Sequence, residues 1–141
     1  MADNLKAFMV QNKAVKTLTK YPASIDFIDE NGVPIDWVLK PTEPEDNDRL
    51  ISEAMTADFD VKGNPILKYN ESQYRKNLMV ESVVSPNLNN AELQDFYKVK
   101  EPGALLNKML NIKEYKQLFD KLQEINGFKV NTEEKVKEAK N

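Results

Sequence analysis

The dipeptide Asn31-Gly32 constrains the fold of this 141-residue chain more than any other feature. It is a strong signal for a tight turn between two β-strands. The sequence predicts a β-hairpin over residues 17–40, closed by a three-residue loop at residues 30–32. Gly32 would take the left-handed conformation of this loop without steric cost. An isolated hairpin is marginally stable in water, so its apolar face must pack on helices.

The distribution of apolar residues selects the register of this hairpin. The three-residue loop pairs Phe27 with Ile35 and Ile25 with Trp37, which separates an apolar face from a polar one. A two-residue loop would place Trp37 opposite Asp26 and mix the two faces. We therefore expect the first register.

Capping signals mark the starts of the predicted helices. Thr42, three residues before a glutamate, fits a capping box for one helix. Asn70 can cap a second helix, whose apolar face runs to Val84 before Pro86 ends it. Asn89 can cap a short third helix.

The C-terminal part has the clearest helical signals. Pro102 suits the first turn of a helix, and Asn111 with Glu114 fits a capping box for the last helix. Gly127 is well placed to end that helix. The apolar positions have clean helical spacing: Leu105, Leu106, Met109, Leu110, Tyr115, Leu118, Phe119, Leu122 and Ile125.

These signals predict an α+β fold that is mainly α-helical, with an N-terminal β-hairpin packed against a bundle of about five short-to-medium helices. Residues 1–128 would form a single domain. Residues 129–141 are mostly charged or polar and are expected to be a frayed or disordered tail. Residues 58–69 read as a loop that can hold a short second hairpin.

The composition argues against an enzyme. The chain has no histidine and no cysteine, so acid-base or thiolate chemistry would need a strongly perturbed carboxylate, lysine or tyrosine. It has four glycines and no phosphate-binding glycine-rich motif. We expect no catalytic residue, no cofactor and no metal.

Charge and hydropathy limit the partners. With 20 basic and 23 acidic residues, the net charge of −3 does not suit a general nucleic-acid binder. No apolar run approaches the roughly 20 residues that span a bilayer, and the first residues do not resemble a secretory signal. The sequence predicts a cytoplasmic protein that binds neither nucleic acid nor membranes.

Two groups of carboxylates are candidate sites. The run from Asp58 to Gly63 resembles the start of a calcium-binding loop, but Tyr69 stands where the bidentate glutamate is required, which favours a polar turn. Carboxylates could support hydrolysis only if they were buried in a cleft, and side chains near a turn are more often solvated. This second group comprises Asp26, Asp29, Glu30 and Asp36.

Apolar residues on short predicted helices are candidates for a protein-binding surface. Residues 3–11 could form a helix with Leu5, Phe8 and Met9 on one face. Burial in the core is the more frequent fate of such residues, while exposed aromatic and methionine patches often bind partners. The candidate surface comprises Leu5, Phe8, Met9, Leu88, Phe96 and Tyr97.

Several sequence blocks, taken together in order and spacing, resemble the XkdN-like tail assembly chaperones of long-tailed phages and prophages. The most specific are the block from Pro-Asn-Leu to Asp-Phe-Tyr and the ending Glu-Ile-Asn-Gly-Phe. The resemblance covers nearly the whole chain. Its blocks are Leu5–Met9, Gln11–Asn12, Phe27–Trp37, Ser82–Tyr97 and Lys108–Phe128.

The resemblance implies a helper in phage tail morphogenesis. Such a protein would bind the aggregation-prone tape measure protein, help to recruit tail tube subunits, and be absent from the finished virion. Self-association into a homo-oligomer is compatible with this role. The alternatives are a structural minor tail or head-completion protein of the virion and, with less support, a hydrolase that uses the hairpin carboxylates.

Overall fold

The computed structural model of the chain describes residues 2–9 and 17–128. It confirms the predicted α+β class with an N-terminal hairpin and five α-helices in the described part. A 3-10 helix spans Ala2–Phe8. The strands are β1 (Thr19–Tyr21), β2 (Trp37–Leu39), β3 (Met55–Phe59), β4 (Pro65–Tyr69) and β5 (Val83–Ser85). The helices are α1 (Pro44–Glu53), α2 (Glu71–Ser82), α3 (Ala91–Phe96), α4 (Pro102–Met109) and α5 (Ile112–Ile125).

The strands form two separate antiparallel sheets. In the three-stranded sheet the order is β1-β2-β5, so β2 lies in the middle. Tyr21 pairs with Trp37, and Leu39 pairs with both Thr19 and Val83. Within residues 2–9 and 17–128 the second sheet consists of β3 and β4, and we call it the ribbon. The short second hairpin that the sequence allowed therefore exists.

The tip of the N-terminal hairpin has the predicted geometry. Gly32 has φ 78°, in the left-handed region. The amide of Asp29 donates to the carbonyl of Val33 at 2.8 Å, and the amide of Ile35 donates to the carbonyl of Phe27 at 2.7 Å. The three-residue loop and the pairing of residue 27 with residue 35 are thereby confirmed.

Further from the tip the predicted register is wrong. Trp37 pairs with Tyr21 and not with Ile25, whose side chain is 76% exposed. Pro22 lacks the amide proton that a continuous ladder would need. The hydroxyl of Ser24 accepts from the amide of Asp26 at 3.1 Å, which closes a local turn. The chain therefore leaves the ladder between residues 22 and 26.

Two predicted helix caps are also wrong. Helix α1 begins at Pro44 after Glu43 as N-cap, because proline at the first helical position fixes the start. The amide of Thr42 instead donates to Asn126 Oδ1 at 2.7 Å. Helix α3 is capped by Asn90, whose side chain accepts from the amide of Leu93 at 2.8 Å, and not by Asn89.

Other helix boundaries were predicted well. Asn70 caps α2, Pro102 occupies the first turn of α4, and Asn111 with Glu114 forms the capping box of α5. Gly127, at φ 93°, follows the end of α5 as predicted. Helix α2 is shorter than expected, because the β-branched Val83 and Val84 continue as strand β5 beside β2.

One core joins the three-stranded sheet to the C-terminal helices. The predicted apolar faces of α4 and α5 contribute Leu105, Leu106, Leu118 and Leu122, all fully buried. Met55 follows the first helix, lies in β3 and is 40% exposed. The core cluster consists of Ala23, Trp37, Leu39, Met79, Val83, Leu88, Leu105, Leu106, Met109, Leu110, Leu118 and Leu122.

Candidate functional site

The N-terminal 3-10 helix presents its apolar side chains to solvent. Leu5 is 64%, Phe8 83% and Met9 44% exposed. Exposed apolar residues that lie close together on one short helix are a common feature of protein-binding surfaces. Residues 10–11 of the predicted helix lie outside the described part of the chain.

Helix α3 provides the second exposed aromatic group. Phe96 is 77% exposed, and its ring meets that of Tyr97 edge-on with centroids 5.1 Å apart. Tyr97 is half-buried and packs against the core cluster. The pair therefore has one ring fixed by packing and one ring free to meet a partner, an arrangement that limits the entropy lost on binding.

Leu88 does not belong to this surface. It is only 2% exposed and is part of the core cluster. The carbonyl of Leu88 accepts from Gln94 Nε2 at 2.7 Å, which ties the preceding loop to α3. Its burial follows from its position, since α3 folds back over the core. Of the six candidate residues, five remain accessible in the structure.

A groove of about 650 Å³ lies where the start of α1, the middle of α2 and the end of α5 meet. Asn126 fixes its floor: its Oδ1 accepts from the amide of Thr42 at 2.7 Å, and its Nδ2 donates to the carbonyl of Leu122 at 2.8 Å. Tyr74 donates its hydroxyl proton to Asn47 Oδ1. The groove is lined by Thr17, Thr19, Pro41, Thr42, Pro44, Asn47, Tyr74, Leu78, Gln123, Ile125, Asn126, Gly127 and Phe128, none of them charged.

The groove combines uncharged polar groups with apolar side chains. Burial, and after it the neighbouring Tyr69, raises the pKa of Tyr74 above its usual value of 10.0, so the hydroxyl stays a proton donor at neutral pH. The Schellman motif at the end of α5, with the amide of Phe128 on the carbonyl of Gln123 at 2.9 Å, places the Phe128 ring at the rim. Phe128 is 61% exposed.

The one buried carboxylate among the described residues has a structural role. Burial opposes the ionisation of Glu114, but hydrogen bonds from Asn111, Ser24 and Ile25 hold its pKa below the usual value. Its Oε1 accepts from the amide of Asn111 at 3.1 Å, and its Oε2 accepts from the amide of Ile25 at 3.3 Å. Glu114 thus caps α5 and fastens the irregular segment of the hairpin to it.

Two of the candidate carboxylates, Asp29 and Asp60, shape local turns. Asp29 Oδ1 accepts from the amides of Asn31 at 2.8 Å and Val33 at 3.0 Å. Asp60 Oδ1 accepts from the amides of Lys62 at 2.9 Å and Asn64 at 2.8 Å, and these bonds help to lower its pKa. Both aspartates are thus committed to shaping turns. Within residues 2–9 and 17–128, no group of three or more acidic residues could hold a metal ion.

The sequence reasoning missed the most apolar exposed surface. In the ribbon, Met55 pairs with Tyr69, Ala57 with Leu67 and Phe59 with Pro65, so all six side chains share one face. All six are exposed. The alternation of apolar residues at 55, 57 and 59 and at 65, 67 and 69 was the available signal. We call these six residues the apolar ribbon face.

In the part of the chain that the structure describes, no helix is both long and apolar enough to cross a membrane. The longest helix is α5, with 14 residues. It is amphipathic, with its apolar side on the core and its polar side in solvent.

Comparison with known proteins finds similarity over most of the chain. The sequence profile of the family described as phage XkdN-like tail assembly chaperone protein matches residues 5–140. The chain is similar to the phage-like element PBSX protein XkdN of Bacillus subtilis (strain 168), with 34% identity over 124 residues that cover 86% of this chain and 83% of that protein.

A second relative extends the similarity to structure. The chain is 31% identical to the uncharacterized protein YqbN of the same strain over 140 residues, which cover 98% of this chain and 93% of that protein. The crystal structure of YqbN superposes with a TM-score of 0.70 at 23% identity, covering 87% of this chain and 95% of that chain. This superposition supports the fold described above.

Proposed function

Because the chain belongs to the family of XkdN-like phage tail assembly chaperones, we propose that it binds the tape measure protein and helps to recruit tail tube subunits during tail morphogenesis. It would act in the host cytoplasm and carry out no catalytic step. The observation that carries this proposal is the family match over residues 5–140.

The exposed aromatic residues supply a physical route to client binding. Phe8 and Phe96 are 83% and 77% exposed, so a client can bury large apolar rings at little cost in rearrangement. We assign client contact to Leu5, Phe8, Met9, Phe96 and Tyr97. Many chaperone copies along one elongated client would turn weak single contacts into strong overall binding.

Co-expression with the tape measure protein tests the proposal. We expect the unchanged chain to keep the client soluble and to elute with it from a sizing column. The double variant Phe8→Ser and Phe96→Ser should lose at least about tenfold in client affinity, as expected for interface hot spots. The matched control is Ile112→Ser, because Ile112 is 91% exposed but lies outside the assigned surface.

The outcome distinguishes the proposal from its alternative. An insoluble client and no complex in the presence of the unchanged chain would contradict client binding. Mass spectrometry of purified particles separates a chaperone, absent from mature tails, from a structural virion protein, present in fixed copy number. If Ile112→Ser lowers client affinity as much as the double variant does, the assigned surface is wrong.

A further inference from the structure

We propose that the apolar ribbon face is a self-association surface that pairs with the same face of a second copy of this chain. The ribbon is separate from the main sheet, and among the described residues its two strands pair only with each other. A two-stranded hairpin is marginally stable on its own and needs a packed face. Within the described part of the chain all six residues of this face are exposed, and only the Tyr69 ring has an aromatic neighbour, Tyr74.

The composition of the two ribbon faces favours a second copy as the occupant. The apolar ribbon face carries no charge, so it can meet an identical face without repulsion or unpaired ions. The charges of the ribbon lie on its other face, where Lys68 Nζ and Asp58 Oδ2 are 3.3 Å apart and neutralise one another. Face-to-face pairing would leave that ion pair in water. The net charge of −3 for the whole chain adds little repulsion between copies.

The area of the face sets the strength of the contact. Met55, Phe59, Leu67 and Tyr69 are 40%, 67%, 74% and 47% exposed. Because a large aromatic side chain offers about 150–250 Å², the whole face exposes roughly 500 Å², and two faces would bury about 1,000 Å². This is the lower limit for a specific interface. The dimer should therefore be weak and reversible.

The base of the ribbon is fixed, which favours a preformed surface. The ring of Tyr69 lies against that of Tyr74 on α2, with centroids 6.3 Å apart. The amide of Asn70 donates to the carbonyl of Ala54 at 2.9 Å, which closes the ladder next to the helices. The face thus has a defined direction with respect to the body before it meets a second copy.

Sedimentation equilibrium of the full chain tests the proposal. The unchanged chain should pass from monomer to dimer between about 1 µM and about 1 mM, the range expected for an interface of this size. Leu67→Lys would bury an ammonium group in the interface and should raise the dimer Kd at least about 100-fold. Ile66→Lys is the matched control, since Ile66 lies on the opposite face beside Asp58, and it should change the Kd by no more than about twofold.

Cross-linking gives a second measurement that does not depend on a destabilising change. The chain has no cysteine, so a single introduced thiol is the only reactive one. With a short bismaleimide, Ala57→Cys in the centre of the face should give covalent dimers at least about ten times faster than Thr56→Cys on the opposite face.

Three results would overturn the proposal. The first is a chain that stays monomeric throughout the concentration range. The second is an equal rise of the dimer Kd in Leu67→Lys and Ile66→Lys, or an equal rate of cross-linking at positions 56 and 57. The third is a Leu67→Lys variant that loses co-elution with the tape measure protein but keeps its self-association, which would assign the face to the client. None of these outcomes depends on the assignment of Phe8 and Phe96.

Discussion

The two hairpins of this protein close with the same turn and yet differ in what their strands do. Asp29 accepts from the amides of residues 31 and 33, and Asp60 accepts from the amides of residues 62 and 64. Gly32 and Gly63 have φ 78° and 83°, and each donates its amide to the carbonyl of the aspartate at 3.0 Å. Five-residue segments of the form Asp-x-x-Gly-x thus form both tips.

The difference lies in burial. The hairpin that ends in β2 places Trp37 and Leu39 in the core at 2% and 0% exposure, and β5 extends its sheet. The ribbon leaves Leu67 at 74% exposure, and no third strand joins it in the described part of the chain. Equivalent turns therefore support two kinds of sheet: one stabilises the domain, and the other offers a surface. Substitutions matched across the two hairpins should separate these roles.

The largest contrast is expected for the same leucine substitution in each sheet. Leu39→Ala removes a fully buried side chain and should lower the free energy of unfolding by about 2–5 kcal/mol. Leu67→Ala removes an exposed one and should change it by less than about 0.5 kcal/mol in the monomer. Urea unfolding followed by circular dichroism measures both. Similar losses for the two variants would show that the ribbon belongs to the same cooperative core.

A second contrast concerns one carboxylate in each region. The pKa of Glu114 is held below its usual 4.5, so its stabilising effect is present above about pH 4.5 and is lost as the pH falls through the native-state pKa. Glu114→Gln should therefore cost about 1–2 kcal/mol at pH 7 and flatten the loss of stability below pH 4.5.

The matched change in the ribbon turn is Asp60→Asn. Backbone hydrogen bonds, that of Asn64 first, lower the pKa of Asp60, but the carboxylate bonds only within its own turn. This variant should leave the midpoint of urea unfolding unchanged at both pH 7 and pH 4. An acid sensitivity equal to that of Glu114→Gln would contradict the separation of the two regions.

What the sequence predicted follows the same division. Local signals were sufficient where one residue type meets one backbone need, as with Asn70, Asn111 and Gly32. They failed where a residue distant in sequence determines the backbone conformation. The amide of Thr42 donates to Asn126, 84 residues away, and the amide of Ile25 donates to Glu114. Val83 and Val84 fit a helix by spacing, but β2 offered a free strand edge to pair with.

The accessibility of the candidate residues could be predicted only in part. Spacing and residue type indicated the short N-terminal helix and the pair Phe96 and Tyr97, and these residues are accessible in the structure. Leu88 could not be distinguished from them, because its burial depends on how α3 folds over the core. The apolar ribbon face was missed because residues 58–63 resemble the start of a calcium-binding loop. Residues 60–64 nevertheless have the same pattern as the first hairpin turn.

The smallest contrast is expected at the two turn glycines. An added Cβ would meet nothing within 4 Å at either Gly32 or Gly63, so alanine costs only the left-handed backbone strain of about 1–2 kcal/mol. In Gly63→Ala this cost should lower the free energy of local opening of the ribbon. Hydrogen exchange of the β3 and β4 amides should then quicken by about tenfold, with an unchanged urea midpoint.

Gly32→Ala should behave differently, because its hairpin is coupled to the core. Phe27 packs against the core cluster, and its ring lies 6.4 Å from that of Trp37. The same strain should therefore lower the urea midpoint and quicken exchange in β2 as well as at the tip. If the β2 amides of Gly32→Ala stay as protected as in the unchanged chain, the tip of the first hairpin opens independently, as the ribbon does. The part of this hairpin that is coupled to the core would then begin only at Trp37.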